Sequence, residues 1–231
     1  MSPARPRVVN GHLVFEAPVP VDSVTKGDCV RIMPGLAAES VDMVLTDPPY
    51  GCGYRDRQGR TVANDTRTDW IAPAFAEIFR LMKPDTLCIS FYGWNAADAF
   101  IGAWRAAGFR LVGHIAFCKG YPSRERLLKG MHECAYVLAK GRPPLPAEPL
   151  VDVQGWVYTG NTYHPTQKPV FNLKLLIETY CREGGLVLDP FAGSGSTLVA
   201  AKECGRHYFG IELEENYVRV ARRRLAQTTG R

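Results

Sequence analysis

The stretch Leu186-Val-Leu-Asp-Pro-Phe-Ala-Gly-Ser-Gly-Ser-Thr197 decides the fold. Its first four residues form a short apolar run bounded by turn residues, the pattern of a buried parallel strand. Thr197-Leu-Val-Ala-Ala-Lys202 then reads as a helix. Between the two, Gly193 and Gly195 permit a tight turn and close approach of the backbone to a ligand. A second apolar run, His207-Tyr-Phe-Gly-Ile211, follows that helix. Strand, glycine turn, helix and strand make one unit of an α/β layered sheet.

Similar runs recur upstream. Val41-Asp-Met-Val-Leu-Thr46 and Thr86-Leu-Cys-Ile-Ser-Phe91 read as parallel strands. Ile71, Phe75, Ile78, Phe79 and Met82 fall at helical spacing between them, as do Leu173, Leu176, Ile177 and Tyr180 after Pro169. A helix over Asn95–Ala107 presents Phe100, Ile101 and Trp104 on one face and ends at Gly108. Arg110–Cys118 and Glu133–Lys140 are β-rich and suit an antiparallel pair at one sheet edge. The expected fold is α/β: a doubly wound, mostly parallel sheet with helices on both faces. One domain is expected over residues 21–225, between a flexible arm at 1–20 and a tail at 226–231. Polar loops lie at about 51–68, 119–132 and 141–163, and loops of that length in a compact domain are usually functional.

With 231 residues, 46% hydrophobic and 22% charged, the chain is globular in composition and long enough for a sizeable core. No apolar run reaches the roughly 20 residues of a membrane span, and the amino end carries no signal-like apolar core. The seven cysteines (29, 52, 88, 118, 134, 181 and 204) include no C-x-x-C pair. They read as reduced thiols of a cytoplasmic protein, with neither a disulfide frame nor a metal site. A net charge of +5 makes an anionic partner plausible.

Two constellations carry chemistry. Thr46-Asp47-Pro48-Pro49-Tyr50 directly follows a buried strand, at the end where open α/β sheets bind ligands. A strand-ending turn is the plainer reading, but two prolines and an aromatic suit attack by an exocyclic amine on an activated methyl group. The amine lone pair is delocalised into its ring. Two oxygens that accept its N–H bonds can draw the nitrogen toward a tetrahedral shape and aim the lone pair. Asp47 can supply one oxygen and the Pro48 carbonyl the other, both held in advance by proline-restricted backbone. The Tyr50 ring offers a surface on which a base can stack. In the glycine turn, no lysine follows as a P-loop requires, and the spacing departs from G-x-G-x-x-G. A nucleoside cofactor without a pyrophosphate fits better, and S-adenosylmethionine is one. Glu212, nineteen residues past Gly193, is placed to bind two ribose hydroxyls.

Asp47-Pro-Pro-Tyr50, His164-Pro-Thr-Gln-Lys-Pro169 and Asp189-Pro-Phe-Ala-Gly-Ser-Gly-Ser-Thr197 together resemble the motifs of the amino-group DNA methyltransferases. Their order, tetrad early and glycine motif late, resembles the circularly permuted β class. The resemblance, over roughly residues 22–225, implies the methyltransferase fold and S-adenosylmethionine as cofactor. It assigns Asp28, in Lys26-Gly-Asp28-Cys, to the cofactor's adenine amine. Asp189, Phe191, Gly193, Gly195, Ser196 and Thr197 fall in the motif that wraps the cofactor, whose methionine part lies by Phe191 and the glycines, and Glu212 takes the ribose. Thr166 and Lys168 match the motif preceding the helix beside the methionine carboxylate. His164 reads as loop packing, and Glu133, in His132-Glu133, as structural support.

The expected activity is methylation of N6 of adenine in double-stranded DNA, because N4-cytosine members more often carry Ser in place of the first Asp. N4-cytosine methylation, RNA or protein amide methylation, and a non-catalytic DNA-binding module remain alternatives. No interval is large enough for a separate recognition domain, so loops are expected to grip DNA. Phe117 is a candidate to close the far face of the target base. Lys119, Arg124, Arg126 and Lys129 are candidates for phosphate contact. A homodimer is expected from the resemblance alone.

Overall fold

A computed structural model describes residues 6–9, 12–53, 59, 64–122, 127–157, 160, 163–164 and 167–230, with side chains from Glu16 onward. In chain order the elements are β1 (Pro6–Val9), β2 (His12–Phe15), β3 (Ser23–Lys26), α1 (Cys29–Ile32), β4 (Val41–Thr46), α2 (Ile71–Leu81), β5 (Met82–Phe91) and α3 (Ala97–Ala107). There follow β6 (Arg110–Cys118), β7 (His132–Lys140), β8 (Val153–Gly155), α4 (Val170–Tyr180), β9 (Leu186–Asp189), α5 (Ser196–Glu203), β10 (His207–Glu212) and α6 (Glu215–Gln227).

Among the described residues the main sheet has eight strands in the order β3-β10-β9-β4-β5-β7-β6-β8. Strands β3, β10, β9, β4 and β5 pair in parallel, and β7 runs antiparallel to both β5 and β6. This is the doubly wound, mostly parallel sheet that the alternating runs predict. Its wiring follows the permuted order: the chain winds outward from β4 through β5 to β7, then returns to build β9 and β10 on the other side. The connections diverge between β9 and β4, the kind of switch point where a crevice opens at the strands' carboxyl ends.

Alternation along the strands divides the core between two faces. Met43, Leu45, Leu87, Ile89, Phe91 and Val187 pack with Leu173, Leu176, Leu198 and Leu225 of α4, α5 and α6. Val44, Cys88, Leu188, Phe209 and Ile211 face Ile71, Phe75, Ile78, Phe100 and Trp104 of α2 and α3. Phe75 meets Trp104 edge-on at 5.7 Å, which locks the two helices together.

Three sequence expectations change. Within the span expected as an arm, the described residues 6–9 and 12–20 make structural contacts. β1 and β2 pair antiparallel, Arg80 Nη1 donates to Glu16 Oε1 at 2.8 Å, and Val19 is buried. The span 141–163 is not all loop, because β8 adds in parallel to β6, so the edge strand is β8 and not the β6–β7 pair. At the carboxyl end, α6 extends to Gln227, and the Thr228 hydroxyl donates back to the Arg224 carbonyl at 2.8 Å. The short strands β1, β2 and β8 escape a periodicity reading because three or four residues carry too little pattern.

Candidate active site

The carboxyl ends of β4 and β9 are joined where the Thr46 hydroxyl donates to Asp189 Oδ1 at 2.8 Å. Just beyond this tie stands Asp47, and both its oxygens are engaged. Tyr50 donates its hydroxyl to Oδ1 at 2.8 Å, and the Lys168 ammonium donates to Oδ2 at 2.5 Å. The backbone after the prolines is held by Asp65, whose Oδ1 accepts from the Tyr50 and Gly51 amides at 2.6 and 2.9 Å. Asp65 is buried, and no motif in the sequence marks it as part of the site. An aspartate 15 residues from the amide it caps leaves no local signal.

Lys168 is only 5% exposed and lies 3.1 Å from Glu133 Oε2, while Lys119 pairs with Glu133 Oε1. The faces of Phe91 and Tyr50 flank the Lys168 ammonium, 4.9 and 5.4 Å from their ring centres. The result is one chain of contacts, Lys119–Glu133–Lys168–Asp47–Tyr50, holding two cations and two carboxylates. Burial pushes the Asp47 carboxyl up, and the Glu133 charge adds to this; together they outweigh the Lys168 ammonium. Burial also pushes Glu133 up, but Lys168 and Lys119 beside it outweigh that and hold it below its ordinary range. For Lys168 burial acts downward, and the two carboxylates more than reverse it.

The glycine turn joins β9 to α5. Gly193 and Gly195 have φ of +49° and +79°, and a Cβ on Gly195 would meet the Ala221 Cβ at 2.8 Å. Glycine is therefore required there by conformation and by α6 packing. Arg224 of α6 clamps the turn, donating to the Ser194 carbonyl at 2.7 Å and to the Ser194 and Ser196 hydroxyls at 3.1 Å. Ser196 and Thr197 are buried at the start of α5. Glu212, at the end of β10, accepts from the Gly193 amide at 2.8 Å and from the Glu214 amide at 2.7 Å. Burial raises its carboxyl above the ordinary range. The Gly27 amide donates to the Glu212 carbonyl at 2.9 Å, which brings Asp28 alongside, and Asp28 caps α1 through the Val30 amide. Phe191 packs against Trp70 with ring centres 5.0 Å apart. Two carboxylates and a glycine cradle at adjacent strand ends are a donor set that fits an adenosyl group and a ribose diol.

Asp189 is fully buried, and that burial pushes its carboxyl up to about 7 against hydrogen bonds from Thr197, Thr46 and the Phe191 amide. An acid whose folded pKa lies above its unfolded one holds its proton more tightly when folded. The stability it contributes is fully present below about 4 and is lost as pH rises to about 7. Asp189→Asn should remove this dependence. Across that interval the stability difference should shift in the variant's favour by on the order of 4 kcal/mol, read from urea unfolding in a pH series. Parallel pH curves for the two proteins would show that Asp189 titrates normally.

Several predicted site residues are placed differently. Phe117 is 1% exposed and stacks on Phe91 at 5.3 Å, so it belongs to the core and cannot close over a base. Lys119 is buried over the Trp156 ring and paired with Glu133, which removes it from the phosphate-contact set. Lys168, aligned with the cofactor's methionine end, instead stands on Asp47. His164 packs on the Tyr217 ring at 4.3 Å. Lys129 is exposed. Thr166, Arg124 and Arg126 lie outside the described residues. Among the described residues no group of three or more His, Cys, Asp or Glu could hold a metal, and no helix is long and apolar enough to cross a membrane.

Several known proteins are similar to this chain. The chain is 55% identical over 201 residues to "Putative methylase YubD" of Escherichia coli (strain K12), covering 87% of this chain and 88% of that protein. It is 30% identical over 237 residues to the type II methyltransferase M2.DpnII of Streptococcus pneumoniae, covering 86% and 87%. Among solved structures, the PvuII DNA methyltransferase (cytosine-N4-specific) superposes with a TM-score of 0.73 at 17% identity, over 90% of this chain and 87% of that one. The sequence profile of the N6/N4 DNA methylases matches residues 41–223, which takes in the tetrad, the buried ion-pair cluster and the glycine turn. The chain belongs to the N6/N4 DNA methylase family.

Proposed function

We propose that this protein methylates the exocyclic N6 amine of adenine in double-stranded DNA, with the target base turned out of the helix into the crevice beside Asp47. The observation that carries the reading is the Asp47 carboxylate at the end of β4, oriented by Tyr50 and Lys168 and followed by two prolines. An aspartate in the first place of the tetrad favours adenine over cytosine, by the resemblance described above.

S-adenosylmethionine supplies, when bound, a methyl group on a sulfonium sulfur, open to attack by a nitrogen lone pair. Asp28, Phe191, Gly193, Gly195 and Glu212 are the residues that would hold it. Asp47 accepts one amine N–H and the Pro48 carbonyl the other, so the lone pair is directed instead of shared with the ring. Asp47, already accepting the amine N–H, is placed to take the proton that the methylated nitrogen gives up. Tyr50 offers its ring for stacking, and extrusion of the base costs a few kcal/mol against that contact. Lys129 and the neighbouring Arg124 and Arg126 are suited to phosphates.

Incubating duplex DNA with the protein and a methyl-labelled donor, then separating the nucleosides, tests this directly. Label in N6-methyladenine is expected. Label in N4-methylcytosine would overturn the base assignment, and label only in RNA or protein would overturn the substrate. Glu212→Ala should weaken S-adenosylmethionine binding by ~1–3 kcal/mol, the scale of hydrogen bonds to a charged acceptor. Calorimetry reads the change, and an unaltered dissociation constant would make Glu212 a brace for the turn only.

A further inference from the structure

The buried cluster contains a carboxylate to which methyl transfer, as described so far, gives no task. Glu133 lies on β7, paired with Phe117 of β6 and two residues from Ala135, where the ladder to β5 ends, so its backbone is fixed by the sheet. Its Oε1 is held by Lys119, which is itself buried over the Trp156 ring. Its Oε2 faces Lys168 at 3.1 Å, an ion pair without a well-aligned hydrogen bond. Lys168 is walled in by Phe91 and Tyr50, so its charge is divided between Asp47 and Glu133. With Glu133 absent, the ammonium would have Asp47 as its one carboxylate partner in this cluster and would bind it more tightly.

We propose that Glu133 is a positioning residue for methyl transfer: by sharing the Lys168 ammonium with Asp47, it keeps the Asp47 carboxylate an open acceptor and not one half of a closed ion pair. This rests on the reading of Asp47 as the acceptor of the target amine. The charged and titratable groups facing Asp47 are Tyr50 from its own loop, Lys168 from the segment before α4, Glu133 from β7 and Asp189 from β9. Those facing Glu133 are Lys119, Lys168, Asp47, Tyr50 and its neighbour Cys134. Charge on Glu133 repels charge on Asp47, whereas charge on Lys168 attracts it. The two neighbours thus act on Asp47 with opposite sign.

The test is Glu133→Gln in the full chain, with thermal melting to confirm folding and saturating duplex DNA in the assay. The methyl-transfer rate should fall about 10-fold, as when a residue supporting a reactive group is lost, with KM values for DNA and donor within about 2-fold. The acid limb of the pH–rate profile should move to lower pH, because Asp47 loses a repelling charge and keeps an attracting one. A carboxyl-carbon NMR titration of Asp47 should move the same way. Glu133→Asp restores the charge and should return both curves toward the wild type. An unmoved acid limb and titration, or a rate loss that Glu133→Asp does not reverse, would overturn the proposal. Asp47→Ala keeps the two readings apart. If it stays fully active, the acceptor role falls and the role of Glu133 with it. If it is inactive while Glu133→Gln matches the wild type, the proposal for Glu133 alone is wrong.

Discussion

Asp47→Ala is expected to leave cofactor binding measurable and to lower methyl transfer by about 10²–10³, the usual consequence of losing one preorganised group beside developing charge. The loss should appear in single-turnover rate and not in DNA affinity, because the carboxylate acts on the amine only when the lone pair is being directed. Asp47→Asn should keep part of the activity. Its amide oxygen still accepts from the target, although its nitrogen would turn a donor toward Lys168. Rapid-quench assays on both variants, beside calorimetry with S-adenosylmethionine, separate the steps. Undiminished turnover in the alanine variant would remove Asp47 from the chemistry and leave it as a partner of Lys168 and Tyr50 only.

The largest expected loss of stability comes from Lys168→Met. Methionine fills much of the same volume between Phe91 and Tyr50, so the change is mainly one of charge. It leaves Asp47 and Glu133 in the buried cluster with Lys119 alone to balance them. Breaking a buried pair by removing one partner costs ~3–5 kcal/mol, because the remaining charge stays desolvated. The sign with pH follows. Lys168 holds both carboxyls down, so without it their folded-state pKa values rise. Raised carboxyl pKa values favour the folded state at low pH and disfavour it as pH increases. The deficit should therefore be larger at pH 8 than at pH 5 in urea unfolding. An equal deficit at both values would assign Lys168 a packing role and weaken the account of a shared ammonium.

Much of the architecture was readable before any coordinate. The strand at Leu186–Asp189, the glycines after it and the apolar start of α5 are local signals, as each depends on backbone preference or side-chain period over a few residues. The same holds for β4 and its Asp-Pro-Pro-Tyr ending, for α3 stopping at Gly108, and for Arg110–Cys118 as a strand. Tertiary structure alone decided how the site's charges are partnered. Lys168 meets Asp47 across 121 residues of chain, Asp65 caps the tetrad from 15 residues away, and Lys119, one residue past β6, meets Glu133 of β7. Sequence read basic residues near 119 as one surface group. The alternation of β6, carried one residue further by the Lys119 amide's bond to the Met131 carbonyl, instead turns Lys119 inward, over the Trp156 ring. Nor could it foresee β8 or the β1–β2 hairpin, whose strands of three or four residues exist because a partner edge supplies their hydrogen bonds. Local pattern determined which elements form and which chemistry they carry. Which charge neutralises which depended on the packing of distant strands, since Coulomb energy follows distance in space and not separation along the chain.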